Sequence, residues 1–192
     1  KSVDDQVARV LDYLKESGLE KDTLVIYTSD QGFSLGEHGF YNKQWMYENP
    51  LHQPLLVRFP GKISPKQVHQ SMVNHIDLAP TLLDYAGLPI PSDIQGHSLR
   101  GILEGREEKV RDESYYHFYK HGTTLPEMIG IRTDIHKLIH YPGMIGKYQW
   151  ELFDLVHDPE EMNNLYHQPK NIKLREEMSE RLRKLIRKVS DP

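Results

Sequence analysis

Thr23-Leu24-Val25-Ile26-Tyr27, running into Thr28-Ser29-Asp30-Gln31-Gly32-Phe33-Ser34-Leu35-Gly36-Glu37-His38-Gly39, is the stretch on which the fold turns. The first five residues are apolar and β-prone, and the next twelve are polar and glycine-rich. That order predicts a buried strand that ends in oxygen-bearing side chains and opens into a loop. In an open α/β sheet, ligands bind beyond the carboxyl ends of the strands. Asp30 and Gln31 therefore fall where a hard metal ion or a polar substrate would sit. Carboxylate and amide oxygens suit Ca²⁺ or Mg²⁺ better than zinc. An Asx turn before Gly32 needs the same residue types, and on spacing alone that plainer account is favoured. Lys43 comes shortly after, in Asn42-Lys43-Gln44-Trp45-Met46-Tyr47-Glu48. A lysine there could stabilise a transferring sulfuryl or phosphoryl group, although a lone loop lysine is ordinarily just solvated. His38 could donate to a substrate hydroxyl or leaving oxygen, or simply be fixed by its neighbours.

Outward from this stretch, Val3, Val7, Val10, Leu11 and Leu14 recur at helical spacing and predict a helix over 3–17, stopped by Gly18. The apolar pattern already runs at the first residues, as it would in a chain cut from a longer one. Residues 54–59 read as a second short strand closed by Pro60-Gly61. His75 and Asp77 resemble a catalytic pair, but Asp77 reads better as a helix cap, with His75 packing or bonding locally. The helix then runs through Thr81, Leu82, Leu83 and Tyr85 to Gly87. Helices between strands argue α/β. After about residue 105 the pattern changes. Four β-prone segments at 114–119, 128–133, 137–141 and 150–155 have short links, which predicts an antiparallel sheet. A final helix at about 171–189 turns Met178, Leu182, Leu185 and Val189 to one face, as a cover for that sheet.

The chain has 192 residues, enough for one ordinary domain or a lobe and a smaller one. A net charge of -4 gives no reason to expect nucleic acid or an anionic membrane as partner. No apolar run approaches the ~20 residues that span a bilayer. The first residues are not a signal peptide. With no cysteine, this chain offers no thiolate nucleophile and no disulfide. Basic residues of the last helix alternate with Glu176, Glu177 and Glu180, the pattern of a solvated face. No Gly-x-Ser-x-Gly, Walker loop or paired zinc motif is present.

Taken in order, five segments resemble the C-terminal part of a type I sulfatase of the alkaline phosphatase superfamily. They are Thr28–Gly32, Leu35–Lys43, Pro54–Arg58, Asn74–Leu83, and the group formed by Glu151–Leu155, Asp158–Glu161 and Asn163–Leu165. Leu35–Lys43 is most similar to the branch acting on sulfated sugars. The resemblance implies that Asp30 and Gln31 are metal ligands, normally for Ca²⁺ with Mg²⁺ possible, and that Lys43 contacts the sulfate. His38 becomes a substrate-binding candidate. It further implies an alkaline-phosphatase-like α/β fold. Residues 1–105 would be the C-terminal part of the catalytic α/β domain, and 106–192 a small α+β subdomain with a four-stranded antiparallel sheet and a C-terminal helix. In the family a hydrated formylglycine attacks sulfur and the hydroxyl of the sugar departs.

Three departures stand out. Gln44 replaces a common arginine, Asn49-Pro50 replaces a small or acidic pair, and no Cys/Ser-x-Pro/Ala-x-Arg nucleophile motif occurs. Formylglycine, the remaining metal ligands and the N-terminal part of the catalytic domain would lie outside this chain. The isolated chain is then expected to be inactive and to bind Ca²⁺ poorly. Its substrate partner would be a sulfated carbohydrate, and its location periplasmic, secreted or lysosomal. Two alternatives stay open: a phosphodiesterase or phosphonate hydrolase of the same superfamily, and a non-catalytic sugar-binding or interaction module.

Overall fold

The computed structural model describes residues 1–120 and 125–190. Helix α1 spans Ser2–Glu16, with Asp4 and Asp5 in its first turn and Lys15 in its last, each at the end whose dipole favours it. Gly18, at φ +74°, takes the left-handed position just past the helix, where a side chain would be strained. Strand β1, Val25–Thr28, pairs with β2, Leu55–Arg58. Their pairing is antiparallel, with Val25 opposite Arg58 and Thr28 opposite Leu55. Strand order alone did not reveal this, because the chain reverses between them through a long loop and the short helix α2, Glu48–Leu51.

Helix α3, Leu78–Tyr85, is where the sequence places it, with Asp77 at its N-cap, but the Asp77 carboxylate closes the capping box of the preceding turn rather than bonding an α3 N–H. That carboxylate reaches back to the Asn74 N–H at 2.7 Å and across to the His97 N–H at 2.9 Å. It also receives both terminal nitrogens of Arg111. Asp77 is fully buried, and burial would raise its carboxyl pKa. The Arg111 hydrogen bonds, with those from His97 and Asn74, outweigh burial and hold it below the usual value. Helix α4, Arg100–Leu103, packs Leu99, Ile102 and Leu103 against Leu55, Val57 and Tyr85.

The last third is a meander of four antiparallel strands in order β3-β4-β5-β6. They span Glu113–Phe118, Met128–Thr133, His136–His140 and Trp150–Asp154. Helix α5, Ile172–Val189, lies across one face, with Met178, Leu182 and Leu185 on Ile131, Leu138 and Leu152. Period-two alternation turns Met128, Ile139 and Phe153 to the opposite face, where they meet Met46 and Tyr47. The sheet is thus sandwiched between α5 and the segment just after Lys43. Gly130 makes this approach possible: a β-carbon there would lie 2.1 Å from the Met46 Sδ.

Candidate functional site

The site starts where β1 ends. Ser29 Oγ donates to the Gln31 carbonyl at 3.0 Å, and the Gly32 N–H donates to the Pro50 carbonyl at 2.9 Å. A β-carbon on Gly32 would stand 1.9 Å from the Asn49 carbonyl oxygen, so only glycine lets this turn press on α2. Asp30 projects outward, its side chain 82% exposed, and the Lys43 ammonium lies 3.6 Å from its Oδ2. Two residues singled out from separate segments therefore share one place. Gln31 points inward, and its Nε2 is buried without a hydrogen-bond partner among the described residues.

His75 also reaches this turn. Its Nε2 lies 2.7 Å from the Ser29 carbonyl. A carbonyl only accepts, so Nε2 carries the proton, and Nδ1 faces the Gln53 amide at 3.4 Å. The local role expected of His75 is therefore replaced by a tether to the residue preceding Asp30.

Between Gly32 and Lys43 the loop closes on itself. The Ser34 N–H donates to the Asn42 carbonyl at 2.8 Å, and the Gly36 N–H to Phe40 at 2.9 Å. His38 occupies the tip at φ +54°. It does not join the Asp30–Lys43 pair; its ring stacks on Tyr47, centroids 4.0 Å apart and planes 7° from parallel.

Behind the loop lies a partly buried charge cluster that motif reading missed. Arg132 donates to both oxygens of Glu48, at 3.1 and 2.9 Å. The Lys137 ammonium, wholly buried, stands 2.8 Å from Glu48 and 2.6 Å from Glu161. These are close charge contacts. Glu161 also accepts the Glu48 N–H at 2.6 Å. Burial would raise the Glu48 carboxyl, but Arg132 and Lys137 together overcome it and hold the pKa at about 2. For Glu161 burial wins, offset only in part by Lys137, and its pKa is raised. The available signal was Glu161 within the Asp158–Glu161 segment, which had a family likeness but no assigned role.

Asp30 and Gln31 carry the kinds of oxygen a hard cation takes, although one side chain faces solvent and the other the interior. Asp30 offers an exposed carboxylate, and the Gln31 amide has an unpartnered terminal atom. Rotation of the amide exchanges its N and O, so an acceptor can be presented there. Among the described residues no group of three or more His, Cys, Asp or Glu side chains could hold a metal by itself. Ca²⁺ takes 6–8 oxygens, so two donors here make a fraction of a site.

The family model described as N-sulphoglucosamine sulphohydrolase, C-terminal, matches residues 36–188. The chain belongs to this sulfatase family and corresponds to its C-terminal region. It is 38% identical, over 99% of its length, to an N-acetylglucosamine-6-O-sulfatase of Bacteroides thetaiotaomicron. Arylsulfatase K of Bos taurus is 34% identical over 84% of the chain. The chain spans about a third of the length of these curated relatives, 35% and 31%. A solved structure described as a complex with its substrate D-glucosamine-2-N,6-O-disulfate superposes with a TM-score of 0.92 at 38% identity. That match covers 98% of this chain and 39% of the other. A phosphonate monoester hydrolase of Agrobacterium radiobacter matches less closely, at TM-score 0.85 and 29% identity, covering 97% of this chain and 39% of that one.

Proposed function

We propose that this chain forms the distal part of the active site of a sulfatase that hydrolyses sulfate esters of sulfated sugars. The observation that carries the reading is the convergence of Asp30 and Lys43, 3.6 Å apart, beyond the end of β1. Asp30 and Gln31 would hold part of the shell of a Ca²⁺ ion. When bound, that ion would draw charge from sulfate oxygens as a Lewis acid. Lys43 is the anion-binding group of this chain. Its ammonium would rest against a sulfate oxygen and offset negative charge growing there in the transition state. His38 would meet a hydroxyl of the sugar.

Residues 1–105 then act as the last part of the catalytic domain and 106–192 as a subdomain. The partner of this chain is the rest of that domain, including the formylglycine. Support comes from α1, which has no buried residue and leaves Val3 and Val10 more than half exposed. A periplasmic, secreted or lysosomal location is the corresponding expectation. No described helix is long and apolar enough to cross a membrane.

The test is made on the parent protein, assayed for inorganic sulfate released from glucosamine 6-O-sulfate and N-sulfate, and for hydrolysis of a phosphonate monoester. Sulfate release that falls on chelation of Ca²⁺ supports the reading. Phosphonate hydrolysis with no sulfate release would favour the second enzyme class, which the chain resembles less than the sulfatase by both identity and superposition. Sugar binding without either activity would favour the non-catalytic module.

A further inference from the structure

The Glu151–Leu155 segment has a family likeness but lies apart from the Asp30–Lys43 pair. Glu151 and Phe153 lie on the face of β6 that turns toward Tyr47. Three polar side chains meet there in apolar surroundings. Tyr47 donates its hydroxyl to Glu151, 3.2 Å from Oε1 and 3.0 Å from Oε2. Tyr141 donates to the same Oε2 at 2.6 Å. Both tyrosines are more than nine-tenths buried. Burial first, and the Glu151 charge second, push both phenols well above their usual pKa. They therefore remain donors, and an ionised Glu151 can accept from both.

This triad holds the hydroxyl end of Tyr47, and the ring's neighbours set its plane. Phe153 stands edge-on to that ring, with centroids 6.1 Å apart at 63°. His38 lies flat against it at 4.0 Å. Among the described residues the stack is what holds the His38 ring; no hydrogen bond to its nitrogens is made. Phe40 and Trp45, stacked at 4.2 Å, flank the assembly. The nitrogen-bearing edge of His38 is thus placed without its nitrogens being used.

We propose that Tyr47 is a positioning residue for His38, and that Glu151, with Tyr141, is the anchor that sets Tyr47. The strand β6 then shapes substrate recognition from a distance, through one aromatic contact. This rests on the reading of His38 as a sugar-contacting residue. A ring stack of this kind contributes about two- to tenfold in an equilibrium constant.

The test compares the wild-type parent protein with Tyr47→Phe, Tyr47→Leu, His38→Ala and the Tyr47→Leu/His38→Ala double variant. Tyr47→Phe keeps the ring but removes the hydroxyl that Glu151 holds, so it tests the anchor separately from the stack. Tyr47→Leu should raise KM for the sulfated glucosamine by about three- to tenfold with kcat little changed. The double variant should be no worse than His38→Ala alone, because both changes remove one function. The His38 ring-proton resonances should sit upfield in wild type, shift part of the way toward those of free imidazole in Tyr47→Phe, and shift further in Tyr47→Leu; resonances unmoved by Tyr47→Phe overturn the anchor. A purely structural Tyr47 would lower melting temperature while its KM effect added to that of His38→Ala, and that overturns the proposal. Resonances indifferent to Tyr47→Leu overturn it too, whether or not the parent releases sulfate. Tyr47-dependent resonances in a protein without sulfatase activity would leave the positioning intact and sink the proposed function instead.

Discussion

Lys43 and Asp30 are both substantially exposed, at 45% and 82% of their side chains, so their pairing is a matter of placement rather than of stability. Replacing Asp30 with Ala should weaken Ca²⁺ binding by the parent protein more than about tenfold, as removal of a coordinating carboxylate would. Calorimetric titration reads this without any turnover. His75 acts one step further back, through the Ser29 carbonyl. His75→Leu should therefore lower Ca²⁺ affinity by about tenfold while barely moving the melting temperature, since His75 is exposed. An unchanged affinity would show that the tether is idle. The polar pair Asp30-Gln31 at the end of β1 was legible in the sequence, because strand, polar pair and glycine lie side by side. The tether was not, because Ser29 and His75 meet only when β1 and the turn before α3 are brought together.

At the scale of elements, the segment after Lys43 is held to the sheet by charges as well as by Met46 and Tyr47. The Glu48 carboxyl ionises at about 2 against an ordinary 4.5. A carboxylate with a depressed pKa stabilises the fold fully above its unfolded value and loses that contribution as pH falls toward its folded one. Glu48→Gln should thus cost on the order of 3 kcal/mol at neutral pH. The gap to wild type should close between about pH 4.5 and pH 2, measured by urea unfolding at a series of pH values. Glu161 works in the opposite sense: its pKa is raised, so its ionised form opposes folding and acidification relieves it. Wild type should consequently lose less stability in acid than Glu48 alone would dictate. Lys137→Met leaves the buried Glu161 carboxyl without its cation, while Arg132 still pairs with Glu48, and should cost about 3–5 kcal/mol. The four strands and α5 were readable from alternation and helical spacing to within a residue or so. A fully buried lysine was not, since nothing in His136-Lys137-Leu138 distinguishes a solvated lysine from one that faces Glu48 across a sheet.

Across the whole molecule, the sheet is the common floor: α5 covers one face and residues 46–47, beside the site loop, cover the other. Phe153→Ala should open a cavity under Tyr47, cost about 3–5 kcal/mol, and speed amide exchange in residues 36–51. Leu182→Ala, on the α5 side, should cost about 2–5 kcal/mol with less effect on that loop. Equal exchange in both variants would mean that the two faces do not act separately. The order of five short segments made this architecture recognisable, whereas the packing of Met46 and Tyr47 onto Gly130 and Phe153 was hidden, because it joins residues far apart in the chain. Beyond β1, Lys43 would bind sulfate beside Asp30, the proposed metal ligand. The most direct test is kcat/KM of the parent protein for a sulfated glucosamine with Lys43→Ala. The expected result is a fall of at least about 100-fold with an unchanged melting temperature. A variant that releases sulfate as fast as wild type would contradict it.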